Sequence, residues 1–195
     1  MSTVDWPTEL QPATMEWGRV FNSYAFTSPF TQSQQIRTHP GAYWKCSLTF
    51  RNLKRPKERV LSTFIGSLHG MAGTFKLKPW TRPPGSFVGN AVVDGDGQAG
   101  AQVVTRNWNA NALVLRLGDY ITISDQLLEV LADVTSNAQG IAVVPVSPWL
   151  RVPPANGATV NYREPYAIMR LARDDVSLSI QALIAGGTLE CREAF

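Results

Sequence analysis

Apolar and polar residues alternate along much of this chain, which is the period-two pattern of half-buried β-strands. Residues 44–50 put four apolar side chains on one face of such a strand: Trp44, Cys46, Leu48 and Phe50. Residues 74–78 repeat the pattern over a shorter run, with Phe75 and Leu77 on one face. We therefore predict two strands that each bury one face in a core.

The segment between these strands has the three- and four-residue spacing of an amphipathic helix. Its apolar positions are Val60, Leu61, Phe64, Ile65 and Leu68. We predict a helix from Pro56 to His69, because a proline at the first helical position loses no hydrogen bond. Gly70 follows where a left-handed C-terminal cap is expected. The remaining pattern is one of strands and turns, so the predicted fold is mainly β (α+β), with one helix crossing a sheet.

Residues 1–42 are rich in Pro, Thr, Ser and Gln, and their bulky apolar side chains stand singly. Only residues 15–20 suggest a short strand, so we predict an extended N-terminal arm. Ordering such an arm costs about 1–2 kcal/mol of backbone entropy per residue. We expect four aromatic side chains to offset that cost by docking on a neighbouring subunit: Trp6, Trp17, Phe26 and Phe30. Packing of the arm on its own domain is the alternative.

Two proline-rich stretches, residues 82–85 and 152–154, divide the rest of the chain. Between them, short strands with turn signals every 8–12 residues are typical of a small barrel or sandwich. Pro145 within one of these runs indicates an edge strand or a bulge. Residues 94–97 read Asp-Gly-Asp-Gly, which favours a hairpin turn. A calcium loop starting at Asp94 would need a glutamate at its twelfth position, where Thr105 stands.

Three longer alternating runs follow, at residues 166–171, 176–182 and 188–193. A linear pair of domains would leave these strands without partners and with exposed edges. We therefore predict one sheet-and-helix domain from residues 43–84 plus 165–195. We predict that residues 85–164 form an inserted β-barrel or β-sandwich module.

Composition narrows the functional classes. The chain has 195 residues, of which 44% are hydrophobic and 17% are charged. Its net charge of +3 is too small, and its lysines and arginines are too scattered, to indicate a nucleic-acid partner. No run approaches the ~20 apolar residues of a membrane span, and the N-terminus lacks the pattern of a signal peptide. We expect folding in a cytosol, where Cys46 and Cys191 stay as buried thiols rather than form a disulfide.

The sequence offers little chemistry for catalysis. Its two histidines, His39 and His69, have no partner at metal-ligand spacing, and no nucleophile elbow or phosphate loop is present. We predict no enzymatic activity, no catalytic residue, no cofactor and no metal. Trp108, in an asparagine-rich loop, is a candidate for stacking on a sugar ring, with a buried packing role as the alternative.

Two stretches carry a resemblance to a known family. They are LTFRNLKRPKERVLSTFIGSLHGMAGTFKLKPW and VVDGDGQAGAQVVTRNWNANALVLRLGDYITI, followed later by the return strand YAIMRLARDD. Over residues 40–195 the chain resembles distal tail and minor tail proteins of long-tailed bacteriophages.

The resemblance implies a structural protein of the virion, assembled in the host bacterial cytoplasm. Such proteins form a ring at the tail tip, usually hexameric, that joins the tail tube to hub and fibre proteins. The alternatives are a carbohydrate-binding module that recognises a cell-surface glycan, and a head–tail connector or tail terminator.

Overall fold

The computed structural model describes residues 3–80 and 89–195, which form a mainly β protein with one α-helix. The helix, α1, spans Arg55–Leu68, and a short 3-10 helix follows at Gly70–Ala72. The strands are β1 (Val4–Asp5), β2 (Thr14–Thr27), β3 (Gln34–Leu53), β4 (Phe75–Leu77), β5 (Gly89–Val93), β6 (Gly100–Trp108), β7 (Leu113–Leu115), β8 (Tyr120–Ile123), β9 (Gln126–Val130), β10 (Val134–Thr135), β11 (Ala142–Leu150), β12 (Ala167–Leu171), β13 (Ser179–Ile180) and β14 (Ala185–Glu193). The predicted class, strands with a single crossing helix, is confirmed.

The strands form three sheets. The first has the order β1-β4-β12-β14-β3-β2, and β13 pairs with β14 beside this path. It is mixed, because β1 runs parallel to β4 whereas β4, β12, β14 and β3 pair antiparallel. The second sheet has the order β5-β6-β11-β9-β8, and the third contains only β7 and β10.

Helix α1 begins one residue earlier than predicted and ends one residue earlier. Lys54 is its N-cap, and Pro56 lies in the first turn. Backbone N–H groups have no partner within the helix there, so the missing N–H of proline costs no hydrogen bond. The left-handed C-cap is His69, at φ 49°, rather than Gly70. Gly70 is also left-handed, at φ 69°, and opens the 3-10 helix. A side chain there would collide with Asp174, whose carboxylate accepts a hydrogen bond from the Met71 amide.

The core of the first sheet follows the alternating pattern. All four apolar residues predicted to share a face of β3 are buried, as are Phe75 and Leu77 on β4. The helix buries Leu61, Phe64 and Leu68. The ring of Phe64 meets the ring of Phe75 edge-on at 5.3 Å, so the helix packs on this sheet. Burial of one complete apolar face supplies the driving force for the arrangement.

The N-terminal segment differs from the prediction of an arm with only one short strand. Strand β2 is 14 residues long and β3 is 20 residues long, and the two are neighbours in the first sheet. They form one long hairpin that contains most of residues 14–53. The prediction failed because the outer part of this hairpin has no buried face, so its residues lack the apolar alternation that identifies a strand.

The second sheet curls and is bridged by a later segment. Isolated bridges join Thr159 to Val92 on β5 and Asn161 to Thr122 on β8, so residues 159–161 contact both outer strands. The apolar side chains of this sheet enclose one core. The Asp-Gly-Asp-Gly hairpin between β5 and β6 is confirmed by their antiparallel pairing.

Pro145 lies inside the second sheet, in β11, which has neighbours on both sides. The prediction of an edge strand is therefore wrong. The alternative prediction, a bulge, is confirmed, because the register of β11 against β6 shifts between Pro145 and Leu150. A proline cannot donate to the ladder, so the irregularity accommodates it.

The C-terminal runs return to the first sheet as β12, β13 and β14. The middle one was predicted at residues 176–182, but β13 has only two residues. Cys191 on β14 lies directly opposite Cys46 on β3, and both thiols are free and buried.

The chain divides into two compact units. The first comprises Met1–Arg19, Trp44–Pro79 and Ala167–Phe195, and the second comprises Val20–Tyr43 and Trp80–Tyr166. The predicted proline boundary at residues 82–85 lies outside the described residues. That residues 85–164 are an inserted, separately folding module stays a prediction.

Candidate functional site

The outer part of the β2–β3 hairpin, Val20–Tyr43, is the most exposed part of the described structure that carries large apolar side chains. Its strands are joined at residues 28–33, where the Ser28 amide donates to the Ser33 carbonyl at 2.9 Å. The Gln32 amide donates back to the Ser28 carbonyl at 3.0 Å, and Gln32 itself is left-handed at φ 58°. Backbone and hydroxyl hydrogen bonds therefore define the turn, and no apolar packing is needed there.

No residue between Phe21 and Pro40 is buried. Tyr24 is 65% exposed, Phe26 is 62% exposed and Phe30, in the turn, is 94% exposed. Tyr24 and Phe26 are two residues apart on β2 and so share a face of the strand. Ile36 on β3 is exposed to a similar degree. We call Tyr24, Phe26, Phe30 and Ile36 the hairpin patch.

The hairpin patch is unusual for an isolated chain. A two-stranded hairpin without a buried face is marginally stable in water, and large apolar side chains exposed next to each other on one strand face, as Tyr24 and Phe26 are, commonly mark contact surfaces. Residues 20–36 contain no Asp, Glu, Lys or Arg, although 33 of the 195 residues in the chain are of these types. The cores of protein interfaces are likewise depleted in charge and enriched in Tyr and Phe.

Trp6 and Trp17 do not belong to this exposed surface. The ring of Trp6 lies 5.0 Å from Phe64 and 5.6 Å from Phe75, and its Nε1 donates to the Leu10 carbonyl at 2.9 Å. Trp17 packs at 5.6 Å from the ring of Trp44. Both indoles thus anchor residues 3–19 on their own unit. For this part of the N-terminal segment, the structure shows the alternative stated above, packing on its own domain rather than on a neighbouring subunit.

Trp108 is buried rather than presented on a loop. Only 5% of it is exposed, its ring lies 5.2 Å from Tyr162, and its Nε1 donates to Thr105 Oγ1 at 2.8 Å. The interpretation of Trp108 as a stacking platform for a sugar is therefore wrong. Its position at the end of β6 directs the indole into the core of the second sheet, whereas the asparagines beside it face solvent.

A cleft of about 650 Å³ lies in the second unit, next to the bridging segment. Its walls include Asn90, Ser124, Asp125, Asn161 and Tyr166. The Tyr166 hydroxyl donates to Asp125 Oδ1 at 2.7 Å. Burial, and then this hydrogen bond to Asp125, raise the pKa of Tyr166 to about 12. The phenol therefore stays neutral at physiological pH, and the cleft presents hydroxyl, amide and carboxylate groups suited to hydrogen-bonding a polar ligand.

The acidic turn between β5 and β6 is engaged in structural contacts. Asp94 pairs with Arg106 at 2.6 Å, and Asp96 accepts the Asn156 amide at 2.6 Å. Within residues 3–80 and 89–195, no group of three or more His, Cys, Asp or Glu side chains could hold a metal ion. The helix in this part of the chain is too short and too polar to span a bilayer.

Comparison with known proteins adds no family. No protein-family model matches this chain, and no curated protein matches it significantly.

The sequence predicted Phe26 and Phe30 as contact residues, which stays a prediction, but it missed the strands that carry them as well as the exposed Tyr24 and Ile36. Ser28-Pro29 is a turn dipeptide and marks the bend. The residues on either side of it lack the regular apolar alternation that identifies a strand, so the sequence gives no comparable signal for the two strands themselves.

Proposed function

We propose that this protein is a structural component of a bacteriophage tail, a distal tail protein that assembles into a ring, hexameric as in the family it resembles. In this role it joins the tail tube to hub and fibre proteins. It is made in the host bacterial cytoplasm and becomes part of the virion. The proposed role is architectural and requires no enzymatic activity.

The observation that carries this proposal is the hairpin patch. Three aromatic side chains expose most of their surface on a hairpin that has no core of its own. Burial of one such side chain contributes about 1.5–3 kcal/mol, so the patch is a strong driving force for association and a liability in a permanent monomer. A repeating assembly supplies a partner surface for every copy of the hairpin.

Sedimentation velocity over a hundredfold concentration range tests this proposal, together with negative-stain electron microscopy of the largest species. We expect a discrete oligomer that images as a ring. The Phe26→Ser/Phe30→Ser variant should dissociate, because it removes two exposed anchors without touching the core. Leu117→Ser changes a residue outside the patch that is 68% exposed, and this variant should assemble normally. A wild-type protein that remains monomeric throughout would refute the proposal.

The place in the particle is tested separately. Immunogold labelling of virions with an antibody against this chain should mark the tail tip. Labelling at the junction of head and tail would instead support a head–tail connector or tail terminator.

A second candidate function, recognition of a cell-surface glycan, is favoured by the polar cleft rather than by Trp108. Hydroxyl and amide groups such as those of Ser124 and Asn161 are suited to sugars. Binding of the protein to a glycan array, abolished by Asp125→Ala and retained in Leu117→Ser, would support this function. Absence of binding in both the monomer and the oligomer would exclude it.

A further inference from the structure

A second exposed apolar patch lies at the turn between β13 and β14, in the first unit. Ile180 is 70% exposed and Leu183 is 82% exposed. The turn is held by its backbone, where the Gln181 amide donates to the Ile184 carbonyl at 2.8 Å. Residues 176–188 contain no Asp, Glu, Lys or Arg. We call Ile180 and Leu183 the turn patch.

A groove adjoins the turn patch. It has a volume of about 360 Å³ and runs between residues 49–52 of β3 and residues 184–188 around the start of β14. The two strands shift register between Ala185 and Gly187, which places an irregularity at the groove. Its volume falls within the range of about 300–1,000 Å³ for pockets that accept a ligand.

We propose that the hairpin patch of one copy docks on the turn patch and groove of a second copy, in a head-to-tail contact. This inference rests on the proposed ring and names the surfaces that build it. A contact between two different surfaces leaves one surface of each kind free on every dimer, so further copies can add; the assembly is a ring where the rotation between copies closes, as in the proposed function, and a filament where it does not. A contact of the hairpin patch with itself would stop at a dimer.

The exposed apolar area of the hairpin patch matches the apolar area that an interface with a second copy would bury. Its three aromatic side chains, at about 200 Å² each and with the exposures given above, present about 440 Å². A standard interface buries about 800 Å² per partner, of which about 57% is apolar, or about 450 Å². The patch thus supplies the apolar area of one complete interface.

Shape and charge are also compatible. The hairpin presents protruding side chains, with Phe30 at its turn, whereas the turn patch lies beside a groove. Residues 20–36 on one side and 176–188 on the other carry no formal charge, so contact between these two segments buries no ion, which would be costly. The groove also contains Arg51, and the Arg55 guanidinium donates to the Ala182 carbonyl at 3.5 Å, so two cations lie beside the uncharged turn.

Two variants separate the surfaces. Phe26→Ser/Phe30→Ser removes the hairpin patch, and Ile180→Ser/Leu183→Ser removes the turn patch. Leu117→Ser/Val152→Ser is the matched control, because its two residues are 68% and 70% exposed. All of these side chains are largely in solvent, so circular dichroism and melting temperature in dilute solution should match those of the wild type.

We expect each patch variant to sediment as a monomer at concentrations at which the wild type and the control are oligomers. Each variant keeps one intact surface that complements the other. An equimolar mixture should therefore form a 1:1 dimer and nothing larger, with a dissociation constant within about tenfold of that of the wild-type contact.

Other outcomes overturn the inference. If the wild type assembles but either patch variant also assembles, the ring is built by other surfaces, and the proposed function survives without this contact. If both variants are monomers and their mixture forms no dimer, the contact is not head-to-tail. A wild-type protein that never assembles would refute the contact and the proposed function together. If a double variant fails the folding controls, Phe30→Ser and Leu183→Ser replace the pair in the same mixing experiment.

Discussion

Replacing Phe64 with alanine tests the packing of helix α1 on the first sheet. Phe64 is buried, and its ring lies 5.0 Å from Trp6 and 5.3 Å from Phe75, nearly edge-on to both. Truncation of a buried phenylalanine costs about 3–5 kcal/mol, and each lost aromatic pair contributes about 0.5–1.5 kcal/mol of specific interaction within this range. We expect a loss of about 4 kcal/mol.

For a chain of this length, 1 kcal/mol corresponds to about 2–4 °C in melting temperature. Phe64→Ala should therefore melt about 8–16 °C below the wild type. Because two units need not unfold together, hydrogen exchange of peptides from residues 55–68 should show that the lost protection lies in the first unit. Phe30→Ala is the control of the same type, and it should shift stability by less than about 0.5 kcal/mol in dilute solution.

An unchanged melting curve for Phe64→Ala, with unchanged exchange in α1, would refute this packing. It would place the helix outside the core and leave the packing of Trp6 beside the Phe64 ring unexplained.

Three further predictions concern the thiols, the hairpin and the module. Burial raises the pKa of Cys191 to about 12 and raises that of Cys46 well above its ordinary range. The stability that the neutral, buried thiols contribute is therefore complete below the unfolded pKa of about 8.5 and is lost as pH rises from there to about 12. Between pH 8 and pH 10, denaturant titrations should show a larger loss of unfolding free energy in the wild type than in Cys46→Ala/Cys191→Ala. Rapid labelling of both thiols in the native protein would contradict their burial. Trypsin should cut the dilute monomer after the exposed Arg37, with the assembled form protected, and equal resistance of both forms would count against a hairpin contact. A chain with a Gly/Ser linker in place of residues 85–164 should keep the exchange protection of the first sheet, whereas aggregation of that chain would oppose an insertion.

The sequence by itself determined the elements that bury one regular face. Helix α1 was found within one residue at each end, because Pro56 and the spacing of Leu61, Phe64 and Leu68 are local signals. The buried faces of β3 and β4 followed from strict alternation for the same reason. In these segments the spacing of the apolar residues indicates which side of the backbone faces the core.

Only the tertiary structure decided which of the isolated aromatic residues are packed against other residues and which are exposed. Trp6, Phe30 and Trp108 each stand among polar neighbours in the sequence. Trp6 nevertheless packs against the helix and sheet, Trp108 enters the second core, and Phe30 stays in solvent. Burial of a single side chain depends on what distant strands bring against it. A hairpin with neither face in a core leaves no periodic pattern from which its residues could be placed.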